Sequence, residues 1–195
     1  MINAQAGLYC WGIWGRVELA SGPMREISTP RLVLEPLTGA HAEEMFLVLS
    51  DPAIYEFENA PPPSEEWLLN RYRLLELRRS TDGEELWLNW VVRSREGGGL
   101  IGYVQATVRP DPMTLVAYEF ESSSWGRGLG RESVGAVLDE LSARYHVGAV
   151  AAILKKTNHR SRTLLGRLGF DCAPDRRAGY GAEDDEDVYV RSLDQ

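Results

Sequence analysis

The sequence predicts an α/β domain of α+β character, built on one mixed, mostly antiparallel sheet. Three observations carry that reading. "LWLNWVVRS", "LIGYVQATVRP" and "TLVAYEFES" follow one another, separated only by "REGGG" and "PDPM". Gly- and Pro-rich punctuation between β-branched and aromatic runs marks hairpins, so the three form a meander. Amphipathic segments flank this block on both sides, and a short apolar run, "GAVAAIL", lies between two of them. Such a run suits a strand buried on both faces.

Each element follows in order. Residues 1–24 are Gly-rich, carry Trp11 and Trp14 and keep no sustained period. They read as a disordered N-terminal arm, with an added edge strand as the alternative, ahead of a domain over residues 25–195. "RLVLEPL" gives a strand over Arg31–Glu35, ended by Pro36. A first helix follows over Ala40–Ser50 and closes at Asp51–Pro52. Ser64 then caps a second helix running to Arg79, with Glu65 and Glu66 at its positive end and Arg78 and Arg79 at its negative end. Trp67, Leu68, Tyr72, Leu74 and Leu75 make its apolar face, and Trp67 is expected in the core. After the meander comes a helix over Gly128–Tyr145, then the buried strand. The last helix, "NHRSRTLLGRLGF", stops at Gly169. "FDCAP" and "DVYVRSL" supply two closing strands, separated by "DRRAGYGAEDDE".

Composition excludes several functions. There are 21 Lys+Arg against 29 Asp+Glu, a net charge of −8, which argues against affinity built on neutralising phosphates of nucleic acid. The two cysteines, Cys10 and Cys172, give no disulfide framework, and the scattered His41, His146 and His159 make no metal motif. No apolar run approaches the roughly 20 residues that span a bilayer. The apolar start has no basic region before it, so it is a poor signal peptide. A cytoplasmic protein without a metal, nucleic acid or membrane partner is expected.

The densest signal is "SSSWGRGLGRESVGAVLDEL", Ser122–Leu141. Glycines crowd the junction between a strand and a helix. A helix start offers free N–H groups and partial positive charge, and glycines let backbone amides approach an anion. Arg127 and Arg131 add charge. The chemistry fits a phosphate cradle, although glycines at such a junction also serve simply to turn the chain. There is no Gly-Lys-Ser/Thr, so it is not a Walker loop, and the dinucleotide fingerprint lacks its context.

"YEFESSSWGRGLGRESVGAVLDEL" resembles the acetyl-coenzyme A loop of the GNAT superfamily of N-acetyltransferases, and most closely its branch acting on ribosomal-protein N-termini. Gly128 and Gly130 fill the loop's two small positions, and Trp125 stands where Gln or Arg is usual. "TNHRSRTLLGRLGFD" is similar to a second motif of that branch, matching at Asn158, Ser161, Leu165, Gly169 and Phe170. "TPRLVLEPL" and "DEDVYVRSL" resemble the branch's two ends.

The resemblance implies a twisted sheet of six or seven strands with about four helices. Its fourth and fifth strands, here about Leu115–Glu121 and Ala149–Leu154, are parallel and splay apart around acetyl-CoA. It implies that Tyr118, Glu119 and Phe120 lie along the pantetheine and thioester, their backbone holding it like an added strand. The amides of Gly126, Arg127, Gly128, Leu129 and Gly130, with Arg131, take the pyrophosphate. Asn158 hydrogen-bonds the pantetheine arm, or only caps its helix. Glu119 is the candidate base, with Glu121 as its backup. Ser161 is the candidate acid, because the tyrosine common in the family is replaced by Leu165. Tyr118 and Phe120, two apart, share one face and pack in the core.

The acceptor is then a primary amine on a small molecule or a peptide N-terminus. Two acidic stretches offer attraction for it: Glu56 with Glu58, and Glu183, Asp184, Asp185, Glu186 and Asp187. Tyr55, Phe57 and Trp67 are candidate pocket aromatics, with the core as the favoured place for Trp67. A homodimer fits the family. The competing class is a non-catalytic acyl-CoA-binding sensor, which the missing tyrosine favours and a carboxylate at Glu119 disfavours.

Overall fold

The structure is a computed structural model describing residues 23–57, 59–109 and 114–193. Most of the proposed arm, the "PDPM" turn and Glu58 therefore lie outside the described residues. A central sheet of eight strands runs in the order β1-β2-β3-β4-β5-β6-β8-β7. The strands are β1 (Ile27–Ser28), β2 (Leu32–Pro36), β3 (Leu86–Ser94), β4 (Leu100–Val108), β5 (Thr114–Phe120), β6 (Ala149–Lys155), β7 (Asp171–Cys172) and β8 (Glu186–Ser192). The predicted strands are all present, and β1 is additional. Helices are α1 (Ala42–Val48), α2 (Glu65–Leu75), α3 (Leu129–Tyr145), α4 (His159–Arg167) and the four-residue α5 (Arg177–Tyr180).

Two predicted helices are shorter than their sequence patterns. The first is a 3-10 turn, Gly39–His41, leading into α1. The second begins as expected, with Ser64 Oγ accepting the Trp67 N–H at 3.1 Å. It ends at Leu75 rather than Arg79. Arg78 has φ +63, and its carbonyl accepts the Trp87 N–H at 2.8 Å. That left-handed residue turns the chain into β3 instead of extending the helix. The "DRRAGYGAEDDE" separator also holds structure that its composition did not announce, a 3-10 turn and α5.

The sheet separates two cores. The larger joins Trp90, Val104, Val116 and Phe120 to Val134, Leu138 and Leu141 of α3. The smaller joins Met45 of α1 and Leu68 and Tyr72 of α2 to Val91 and Leu100. Alternation along the strands sends neighbours to opposite cores, as Trp90 and Val91 show.

All pairings are antiparallel except β5 with β6. Those two strands pair only at Thr114↔Val150 and Leu115↔Ala151. Beyond that, β5 stays with β4 through Gly102↔Phe120, while β6 stays with β8 through Lys155↔Glu186. The sheet is thus split at its centre. Glu121 N–H donates to the Ile101 carbonyl of β4 at 3.0 Å. Successive backbone groups alternate in direction, so those of Tyr118 and Phe120 face the split and those of Glu119 face β4.

Candidate active site

One cavity of about 830 Å³ passes through the split. Its first half, on the α3 and α4 side, is lined by Tyr118, Phe120, Gly126, Gly128, Leu129, Gly130, Arg131, Asn158 and Ser161. Its second half, on the α1 and α2 side, is lined by Tyr55, Trp67, Tyr72, Tyr103, Gln105 and Glu119. The structure therefore brings to this cavity the residues expected for the cofactor and for catalysis, except Arg127 and the backup base Glu121; the acidic residues expected to attract the acceptor do not line it among the described residues.

The glycines divide their work. Gly126 and Gly128 have φ of +73 and +78, a conformation that side chains disfavour. Gly128 is the N-cap of α3 and has no side chain to bond the first-turn amides. Gly130 has ordinary φ but sits where a Cβ would lie 2.9 Å from Leu164 Cδ1 and 3.4 Å from Phe120 Cε2. Two glycines therefore shape the turn, and the third lets α3 approach α4 and β5. Arg131 is exposed and makes no ion pair among the described residues. The Arg127 guanidinium is held by Glu96 at 2.8 Å, outside the cavity lining, and its carbonyl accepts from Arg31 at 2.9 Å.

The cradle is anchored from behind. Glu132 accepts hydrogen bonds from Thr29 Oγ1 at 2.6 Å, Arg31 N–H at 2.9 Å and Arg31 Nε at 2.6 Å. Burial alone would raise its pKa, but these donors more than offset it and the net shift is downward. Asp51 accepts the Ser122 N–H at 2.7 Å and the Ala53 N–H at 3.0 Å, and the Ser122 bond is the chief cause of its lowered pKa. Trp125, unusual at its position, donates from its indole to the Phe120 carbonyl at 2.8 Å. The Arg160 guanidinium lies 4.1 Å from that ring and 5.0 Å from Phe57, and pairs with Glu56 at 2.6 Å. This cation-stacked cluster joins α4, the 51–57 segment and the cradle at one end of the cavity.

Asn158 is the α4 cap, its Oδ1 accepting the Ser161 N–H at 3.0 Å, and it lines the cavity as well. Both sequence readings of this residue are compatible, because the cap uses its oxygen and leaves its amide NH₂ to donate. The Tyr118 hydroxyl is buried without a hydrogen bond of good geometry. Burial pushes its pKa up to about 12, and nearby Ser161 acts in the opposite direction.

Across the strand, Glu119 stands among three phenols. Asn59 Nδ2 donates to Glu119 Oε1 at 3.2 Å. Tyr103 lies directly opposite on β4 and hydrogen-bonds the carboxylate; burial, then the Glu119 charge, raise its pKa. Burial followed by the same charge pushes Tyr55 up to about 12 and raises Tyr72 further. Glu121, the proposed backup, lies off the cavity and accepts from Ser123 Oγ at 2.7 Å. Trp67 is 50% exposed and lines the cavity, so it is not a core residue; Leu74, at 54%, is not either. Their places on α2 turn toward the cavity and solvent, while Leu68 and Tyr72 face the sheet.

The acidic stretch near the chain end is already engaged. Lys155 holds Glu183, Asp185 and Glu186 at 2.9, 3.0 and 3.1 Å, and Asp184 lies 3.8 Å from Arg177. None of these carboxylates lines the cavity. The contributions of Tyr103, Tyr72 and Arg160 escaped the sequence, since they depend on strand register and on contacts between distant segments. Among the described residues there is no cluster of ligands for a metal and no helix long and apolar enough to cross a membrane.

Comparison with known proteins agrees with this geometry. Residues 31–171 match the family model described as an acetyltransferase (GNAT) domain. The fold is similar to that of RimL, a ribosomal L7/L12 alpha-N-protein acetyltransferase solved with coenzyme A, at TM-score 0.72 and 16% identity, over 86% of this chain and 98% of that one. It is similar to a ribosomal-protein-S5-alanine acetyltransferase from Vibrio fischeri at TM-score 0.69 and 19% identity, over 88% and 98%. It is also similar to the microcin C7 self-immunity acetyltransferase MccE, solved with acetyl-CoA and AMP, at TM-score 0.69 and 13% identity, over 84% and 93%.

Proposed function

The chain belongs to the GNAT acetyltransferase family, and from that premise we propose that it moves the acetyl group of acetyl-CoA to a primary amine at Glu119. The observation that carries this is the split between β5 and β6, which joins a glycine-rich helix start on one face to a carboxylate among phenols on the other. The residues present fit coenzyme A. The first-turn amides of α3, the left-handed Gly126 and Gly128, and Arg131 would hold its pyrophosphate. The backbone of Tyr118 and Phe120 and the Asn158 amide would hold its arm. The bound cofactor supplies the acetyl thioester.

Glu119 accepts the proton that the attacking nitrogen loses as the amide bond forms and the bond to sulfur breaks. A backbone N–H of β5 facing the split takes the negative charge that develops on the carbonyl oxygen. Ser161, or solvent, returns a proton to sulfur in this reading. The acceptor is an amine on a small molecule or a protein N-terminus, and the setting is the cytoplasm. Thiol release from acetyl-CoA across a panel of amines tests the reading. Amine-dependent release is expected; tight CoA binding with no such release would turn the reading to an acyl-CoA sensor.

A further inference from the structure

We propose that the acceptor half of the cavity selects a compact primary monoamine with an apolar, aromatic or alkyl body, in preference to a polyamine or a basic peptide N-terminus. This rests on the acetyltransferase reading with Glu119 at the reacting end.

The charge inventory comes first. Glu119 is the only acidic residue among the described residues that line the cavity. The other charges on its walls are positive. Arg160 is neutralised by Glu56, whereas Arg71 is exposed on α2 and makes no ion pair among the described residues. One ammonium therefore finds one carboxylate. A second ammonium on the same molecule finds none among the described lining residues and meets Arg71, and desolvating an unpaired charge is unfavourable. In the acidic stretch near the chain end, Glu183, Asp184, Asp185 and Glu186 pair with Lys155 or Arg177, and none of the stretch lines the cavity.

The second observation concerns the polar groups beside Glu119. Tyr72 is 4% exposed and lines the cavity, and its hydroxyl is buried without a hydrogen-bond partner among the described residues. An ammonium has three donors, and the Tyr72 oxygen and the Glu119 carboxylate both accept. The phenol rings add attraction for a single cation. Beside the polar Asn59, Asn89, Gln105 and Arg71, this half carries Leu49, Ile54, Leu75 and the half-exposed Trp67, placed to cover the body of the amine.

The test compares phenethylamine, spermidine and a short peptide with a basic N-terminal sequence, by thiol release from acetyl-CoA and by calorimetric binding to the CoA-loaded protein. Phenethylamine is expected to show kcat/KM at least about tenfold above either alternative. Trp67→Ala is expected to raise its KM about tenfold with kcat little changed. Arg71→Glu, which adds a second carboxylate at the wall, is expected to raise the spermidine-to-phenethylamine ratio about tenfold. A preference for spermidine or the basic peptide would overturn the proposal while leaving the acetyltransferase intact. So would an unchanged KM in Trp67→Ala. Phenethylamine binding without thiol release would overturn the acetyltransferase reading while bearing out the cavity's preference for a compact monoamine as ligand. Neither binding nor release with any of the three would overturn both.

Discussion

Glu119 and Tyr103 face each other across β4 and β5, and this pair sets the chemistry of the acceptor side. Replacing Glu119 by Gln keeps the shape and the Asn59 contact but removes the proton acceptor. We expect kcat to fall about a hundredfold or more with unchanged CoA affinity, measured by thiol release and by calorimetry. Tyr103→Phe removes a donor to the carboxylate and is expected to lower kcat less than Glu119→Gln does, in the same assay. Glu119 was singled out through the family resemblance of its strand, and alternation puts it on the face opposite Tyr118 and Phe120. Tyr103 was not, since its partnership depends on a register that no local pattern specifies. Trp67 suited either the pocket or the core, with the core favoured, and it lines the cavity: an indole at helical spacing packs equally well into a core or against a ligand.

Among the elements, the strands and the start of α3 were clearly written, because period-two runs and glycine punctuation are local signals. Helix ends were not. The left-handed Arg78 stops the second helix in a run that looks helical, and nothing local announces it. Gly128 was legible as a glycine demanded by the strand-to-helix turn, and its φ of +78 is one that side chains disfavour. Gly128→Val is expected to lose most CoA affinity by calorimetry while the far-ultraviolet spectrum of the fold persists. Gly102 carries a separate demand. It pairs with Phe120, has φ +157, and a Cβ there would lie 2.2 Å from the Glu119 carbonyl oxygen. β4 thus lets β5 come close at the rim of the split. Gly102→Ala must displace that backbone, and is expected to cost about 1–3 kcal/mol in denaturant unfolding and to lower turnover as well.

The whole molecule is a sheet opened between β5 and β6, with several carboxylates held by ion pairs and hydrogen bonds. Glu35, held by hydrogen bonds from Arg93, has a lowered pKa, as do Asp51, Glu85 and Glu132. A depressed folded-state pKa contributes stability that is complete above the unfolded carboxylate value of about 4. That contribution is lost as pH falls through the lower, folded values. Thermal unfolding is therefore expected to change little between pH 6 and 8 on this account and to move to lower temperature below about pH 4; a Tm independent of pH down to pH 3 would contradict it. The central claim is that the split joins a coenzyme A cradle to a base at Glu119. The most direct measurement is amine-dependent thiol release from acetyl-CoA by the wild-type protein and by Glu119→Gln, at matched CoA occupancy. The account predicts release that requires an amine and falls about a hundredfold or more in the variant; a variant as active as the wild type, or CoA binding with no amine-dependent release, would contradict it.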